Sequence, residues 1–321
     1  MTTRSTSQEH RRKQIVVLGS LNIDLVQRVP RIPVAGETLI GGDLATYAGG
    51  KGANQACAAA LLGGQVKMAG MVGHDVFSGR LLAELQNAGV TTDLVAKAAA
   101  STGSAVIFVL PNGENSIVIS PGANAEVTVP IALQAVERLE AGDFLLCQLE
   151  TPMQSVTAAM KAAHRKGVTT LLDPAPAHGL PEELLQATSI LTPNQTEAGF
   201  LTCSPGAIET MAQAADAARQ LQGRGAPVVI IKMGAGGCLI VDGVQMTEAS
   251  GFPVQAVDTT GAGDTFNGAL AVALAEGLDL IDASRFANAA AALSVTKPGA
   301  IASMPSRSQV EQFLEAAGSR V

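Results

Sequence analysis

The run Val-Asp-Thr-Thr-Gly-Ala-Gly-Asp-Thr-Phe-Asn-Gly at 257–268 sets a carboxylate, Asp264, directly behind the turn-forming pair Gly261 and Gly263. An apolar period follows at Phe266, Ala269, Leu270, Ala273 and Leu274, and it predicts a helix over about 263–276. Amides at a helix start lack backbone acceptors, and the helix dipole there favours an anion. Asp264 in that first turn therefore stands beside an anion-binding nest. Deprotonating a hydroxyl next to a phosphate needs that pairing. The plainer alternative is a helix cap after a glycine turn.

Four further clusters fall at predicted strand ends or helix starts. Asn22 and Asp24 suit vicinal hydroxyls, since a carboxylate accepts twice and an amide both donates and accepts; an Asx turn is the alternative. Gly49-Gly50-Lys51-Gly52 permits close backbone approach ahead of Asn54, or is only a glycine turn into a helix. Glu150 follows the apolar strand 144–149, as a ligand group or as a charge at a helix N-terminus. Asn194 and Glu197 fit a capping box, and equally a pair ordering water around Mg²⁺.

The elements that must position these groups alternate as strand and helix. The first strand is expected from Ile15 to Gly19, apolar on both faces as in a parallel sheet. Polar residues 20–24 are expected at its carboxyl end, where open α/β sheets bind ligands. Residues 25–48 break the rhythm with Pro30, Pro33, Gly36, Gly41 and Gly42, leaving short strands at 38–40 and 44–47. A hairpin pairs 104–110 with 116–119, and a short β-like run is expected at 253–257. The pattern as a whole predicts an α/β domain, its mostly parallel sheet covered by helices on both faces. Residues 1–14 are polar and expected to be disordered.

With 47% hydrophobic residues in 321, a large core is available, but only 3% are aromatic, so aliphatic side chains must fill it. A net charge of -7, with one basic cluster at Arg11-Arg12-Lys13, argues against nucleic acid or an anionic membrane as partner. Cys57, Cys147, Cys203 and Cys238 are widely separated, with no zinc spacing, and indicate a reducing, cytoplasmic setting. No apolar run reaches membrane-spanning length. The P-loop, the dinucleotide fingerprint and the protein-kinase motifs are all missing, Phe266 occupying the last glycine position of G-x-G-x-x-G.

Gly-Ser-Leu-Asn-Ile-Asp at 19–24, Gly-Gly-Lys-Gly-Ala-Asn-Gln-Ala at 49–56, Thr-Pro-Asn-Gln-Thr-Glu at 192–197 and Asp-Thr-Thr-Gly-Ala-Gly-Asp-Thr-Phe at 258–266 occur in order. On these the chain, from Ile15 onward, resembles the ribokinase-like (PfkB) sugar kinases. The 49–56 run leans toward the branch that uses ribose or deoxyribose. The resemblance implies a three-layer α/β sandwich with a small β-sheet lid built from insertions near 24–49 and 102–120. It implies ATP-dependent phosphorylation of ribose at the 5-hydroxyl. Deoxyribose or another sugar or nucleoside is the nearest alternative, and a non-catalytic sugar sensor a more distant one.

The resemblance also distributes roles. Asp264 would be the base, and the amides of Gly261, Ala262 and Gly263 the anion hole. Asn22, Asp24, Gly50, Lys51, Asn54, Glu150 and Asp264 would hold the sugar. Asn194, Lys232, Gly234, Gly236, Gly237, Gly263 and Asn288 would hold ATP. Asn194 and Glu197 would support Mg²⁺ through water. Asp258, Thr260, Ser294, Lys297, Gly299 and Ser303 would surround a potassium ion. The lids would pair across a homodimer, consistent with a hairpin whose two apolar faces cannot both be buried within one chain. Asp173 stands where such kinases often carry Asn, and adds a negative charge on the nucleotide side.

Overall fold

The computed structural model describes residues 11–204 and 206–318. Its strands, in chain order, are β1 (Gln14–Leu18), β2 (Asn22–Arg28), β3 (Leu44–Gly49), β4 (Gln65–Val72), β5 (Thr91–Lys97), β6 (Gly103–Val109) and β7 (Asn115–Ser120). Then come β8 (Phe144–Cys147), β9 (Thr169–Leu172), β10 (Ile190–Leu191), β11 (Val228–Lys232), β12 (Gly237–Asp242) and β13 (Gln245–Ser250). The helices are α1 (Lys51–Leu61), α2 (Val76–Asn87), α3 (Val129–Glu137), α4 (Met153–Arg165) and α5 (Glu182–Gln186). They continue with α6 (Gln195–Leu201), α7 (Met211–Gly223), α8 (Ala262–Glu276), α9 (Leu280–Ser294) and α10 (Arg307–Ala316).

Nine strands form one sheet in the order β13-β12-β11-β10-β9-β8-β1-β4-β5. Every neighbouring pair from β5 to β11 is parallel, and the β12–β13 hairpin closes one edge antiparallel. Strand alternation sorts side chains into two cores. Ile15, Val17, Phe144, Leu146 and Ile230 join α1, α2, α8, α9 and α10 on one face. Val16, Leu18, Leu145, Cys147, Val229 and Ile231 join α3 to α7 on the other. The three-layer expectation holds.

The chain runs from β1 to its neighbour β4 on one side and returns to β8 on the other. Parallel order thus reverses beside β1, and the carboxyl ends of β1 and β8 open a crevice there. Two long insertions assemble over it as a second sheet, β3-β2-β6-β7. Asn22 of β2 pairs with Gly49 on one side and Gly103 on the other.

Several local expectations are corrected. Asn22 and Asp24, which follow β1 as expected, stand in a strand of the lid, so the alternative of an Asx turn falls away. Residues 38–40 form no strand: Gly42 N–H takes the Arg28 carbonyl at 2.8 Å, so pairing with β2 begins only at Leu44, and Ile40 is exposed. Residues 253–257 are irregular; Pro253 has no N–H to give a ladder, and Val257 N–H goes to the Val295 carbonyl at the end of α9. Of the tail expected to be disordered, 1–10 lie outside the described residues. Arg11 and the Gln14 amide are tied to buried Asp143 at 2.8 and 2.9 Å, which starts β1 at Gln14. Among the described residues, no helix is long and apolar enough to cross a membrane.

Candidate active site

The polar residues that end β1, β8, β9, β10 and β11 meet the starts of α1 and α8 along one edge of the sheet. Gly261, the residue before α8, has φ 76°, and a side chain there would also press on Ala300 at 3.2 Å. Glycine is therefore required twice, for conformation and for approach. At the first residue of α8, Ala262 N–H donates back to the Thr259 carbonyl at 3.2 Å. Among the described residues the amides of Gly261 and Gly263 have no acceptor, so the expected three-amide hole has two open members and one in a turn.

Asp264 is buried in the first turn of α8, with one carboxylate oxygen accepting from Asn54 Nδ2 at 2.9 Å and the other from Gln55 Nε2 at 3.1 Å. Burial pushes its pKa up to about 6; Lys51 and the two amide donors pull it down, while Asp173 adds to the rise. Lys51 is half-buried, and desolvation lowers its ammonium pKa, but Asp264, Asp173, Glu150 and Glu197 together outweigh this and hold it above its usual value.

Under the lid, Gly50 adopts φ 92° and packs where a side chain would meet Asn22 N at 2.8 Å. Asn22 is held by Asn124, which donates Nδ2 to Asn22 Oδ1 at 2.7 Å and clamps both the amide and carbonyl of Leu21. Asp24 lies against Gly49, and burial, then the charge of Glu150, raises its pKa to about 6. Glu150 is a helix N-terminal charge, but for α1 rather than the adjacent α4: it accepts from Ser20 Oγ at 2.5 Å and from Lys51 N at 3.1 Å. The expected sugar-side residues Asn22, Asp24, Gly50, Lys51, Asn54 and Glu150 thus join Asp264 in one polar face. Among the described residues, Asn54 Oδ1 is buried there without a partner.

On the other side of Asp264 lies a cavity of about 310 Å³ lined by Lys232, Gly234, Gly237, Gly263 and Asn288, with Phe266 and several small aliphatic residues. Asn288 braces its wall by donating to the Ala249 carbonyl at 2.9 Å. Gly236 and Asn194 are not in that lining, although Asn194 bridges Lys232 through the backbone. Asn194 and Glu197 do form a capping box, each accepting from the other's amide at 2.8 Å. Burial, then the charge of Asp173, raises the Glu197 pKa; Lys232, the Asn194 amide and Lys51 partly offset this.

Asp258 caps its own turn through Thr260 N–H and Oγ1, at 3.0 and 2.7 Å, and reaches Gly299 N–H at 2.8 Å. Partial burial pushes its pKa up, but these bonds outweigh that and lower it. The two segments expected around a cation are therefore joined. The hydroxyls of Ser294 and Ser303 are spent on the carbonyls of Ala291 and Ala300, and Lys297 is exposed.

Sequence reasoning passed over Gln55, Asn124 and Gln148. Gln148 Nε2 donates to Gln55 Oε1 at 2.7 Å, fixing the amide that serves both Asp264 and Asp173. Gln55 lies inside the 49–56 run, but nothing local marks which side chain of a helix faces a residue 209 positions away.

Sheet, lid and this two-sided site define a small-molecule kinase. The pfkB family carbohydrate kinase profile matches residues 12–307, and the chain belongs to that family. It is 42% identical to the ribokinase of Haemophilus influenzae over 305 residues, covering 95% of this chain and 99% of that one. It is likewise 42% identical to the Bacillus subtilis ribokinase over 302 residues, 94% and 99% of the two chains. The structure of the Arabidopsis thaliana ribokinase complexed with ribose and ATP superposes with a TM-score of 0.86 at 37% identity, over 94% of this chain and 99% of that one.

Proposed function

We propose that the protein is an ATP-dependent kinase that phosphorylates D-ribose at its 5-hydroxyl, giving ribose 5-phosphate and ADP. The observation that carries this reading is the buried Asp264 carboxylate, fixed by two amides between a polar face under the lid and a cavity at the start of α8. Asn22, Asp24, Asn54, Lys51 and Glu150 bind the sugar hydroxyls, and the cavity takes the nucleoside of ATP. Asp264 accepts the 5-hydroxyl proton as that oxygen bonds to the γ-phosphorus. The bond from phosphorus to the β,γ-bridging oxygen breaks, and ADP leaves. The open amides of Gly261 and Gly263 stabilise charge on the transferred group.

Among the described residues no three His, Cys, Asp or Glu side chains gather as a metal site. That suits Mg²⁺ held by phosphate oxygens and water, with Glu197 and Asn194 as outer partners, since this ion keeps much of its water. When bound it neutralises charge between the phosphates. Asp258 and carbonyls of the 294–303 segment would hold potassium, and Gly261 packing on Ala300 carries its effect to the anion hole. All of β7 is exposed, including Ile117, Val118 and Ile119, which supports a homodimer through the lid. We place the protein in the cytoplasm.

The test is ADP release over ribose, deoxyribose, fructose, adenosine and no sugar. Ribose should give the highest kcat/KM; turnover that ignores the sugar sinks the reading.

A further inference from the structure

Lys232 Nζ and Asp173 Oδ1 form an ion pair at 2.9 Å, with side-chain exposures of 12% and 3%. Burying such a pair costs desolvation on both partners and adds little stability over apolar packing. Its position is the informative part. The ammonium lies 3.4 Å from where a side chain on Gly263 would begin, in the lining of the cavity and beside one of the two residues with an open amide. A cation at a helix N-terminus is unfavourable on its own. Asp173 is what makes it tolerable there. The other oxygen of Asp173 accepts from Gln55 Nε2 at 2.9 Å, the same nitrogen that donates to Asp264. Asp173 is thus fixed from a second direction and need not follow the lysine if it turns.

We infer that Asp173 keeps Lys232 in reserve for the transferable phosphoryl group. Without nucleotide the ammonium rests on Asp173. With a nucleoside triphosphate in place it turns toward the γ-phosphoryl oxygens, adding a positive charge to a nest with two open amides. Asp173, still held by Gln55, remains behind. The acid at 173 and the lysine at 232 are then one device: the acid stores the cation, and the cation serves the terminal phosphate and not the diphosphate product.

This inference rests on the kinase reading. Four proteins test it: unmodified, Lys232→Met, Asp173→Asn and the double variant, with Lys232→Gln as a second lysine variant should the methionine fail to fold. Calorimetry gives the affinity of each for ADP and for an ATP analogue with a β,γ-imido bridge, and thermal denaturation gives Tm without nucleotide. Lys232→Met should weaken the analogue about 10-fold or more, the loss expected for a charge-assisted hydrogen bond, and leave ADP within about 2-fold. Asp173→Asn should lower Tm, because a buried ammonium loses its partner, yet tighten the analogue, because the phosphate no longer competes with a carboxylate. The double variant should recover Tm while keeping the weak analogue affinity. A pair that only braces the fold would move Tm in both single variants and leave the analogue-to-ADP ratio alone. An unchanged ratio in Lys232→Met, or an analogue weakened by Asp173→Asn, overturns the inference. Sugar-dependent ADP release by the unmodified protein is measured alongside: if it is absent the kinase reading fails, and if it is present with an unchanged ratio only the role of Lys232 fails.

Discussion

Replacing Asp264 by Asn should make the protein more stable while removing its activity. The folded-state pKa of Asp264 is raised from 3.8 to about 6, chiefly by burial. A carboxyl group raised in this way favours folding when protonated. That contribution is complete below the unfolded value and is lost as pH rises through 6. At pH 8 the ionised group therefore costs roughly 3 kcal/mol, from 1.36 kcal/mol for each tenfold step. The amide substitution removes the charge and keeps the shape. One of the neighbours of Asp264 must then accept instead of donate, and Asn54 can turn its unpartnered Oδ1 to do so. Lys51 loses one of four acidic neighbours, which returns part of the gain. A net stabilisation of about 1–2 kcal/mol remains, or a Tm rise of ~2–8 °C at the scaling of large domains. Thermal denaturation of both proteins from pH 4 to 8 checks this. The Tm difference should be largest above pH 7, shrink through 6 and be nearly gone at 4. Turnover of the variant should fall about 10²–10⁴-fold. In the unmodified protein kcat/KM should drop on the acid side of about pH 6. A variant less stable at pH 8, or a Tm difference flat with pH, would refute the assignment of Asp264 as a carboxylate that is costly to ionise where it is buried.

Two other outcomes follow from the geometry. Val118→Asp places a charge on the exposed β7 and should leave a monomer by light scattering at micromolar concentration, where the unmodified protein should run as a dimer; an unmodified monomer removes the lid interface. Exchanging potassium for tetramethylammonium at fixed ionic strength should cut turnover reversibly, and Asp258→Ala should lose most of that response; equal rates in the two salts remove the cation site but not the kinase.

What could be read from the chain alone is what depends on neighbours in sequence. Strands β9 and β11 fall where their apolar runs stand, and α8 starts within a residue of its expected place, because alternation, helical period and glycine turns are local. Asp264 behind Gly261 and Gly263 was legible for the same reason, as was the capping box of Asn194 and Glu197. The tertiary structure alone decided which distant residues meet. It joined two insertions, separated in the chain by α1, β4, α2 and β5, into one lid. It set Asn22 and Asp24 in a lid strand rather than an Asx turn, and gave Glu150 to a helix 99 residues before it. It set Gln55 between Asp264 and Asp173, and Asp173 against Lys232. Hydrogen bonds and ion pairs across such separations leave no period in the sequence. They exist only once strand order has brought the carboxyl ends of β1, β8, β9 and β11 to a common edge.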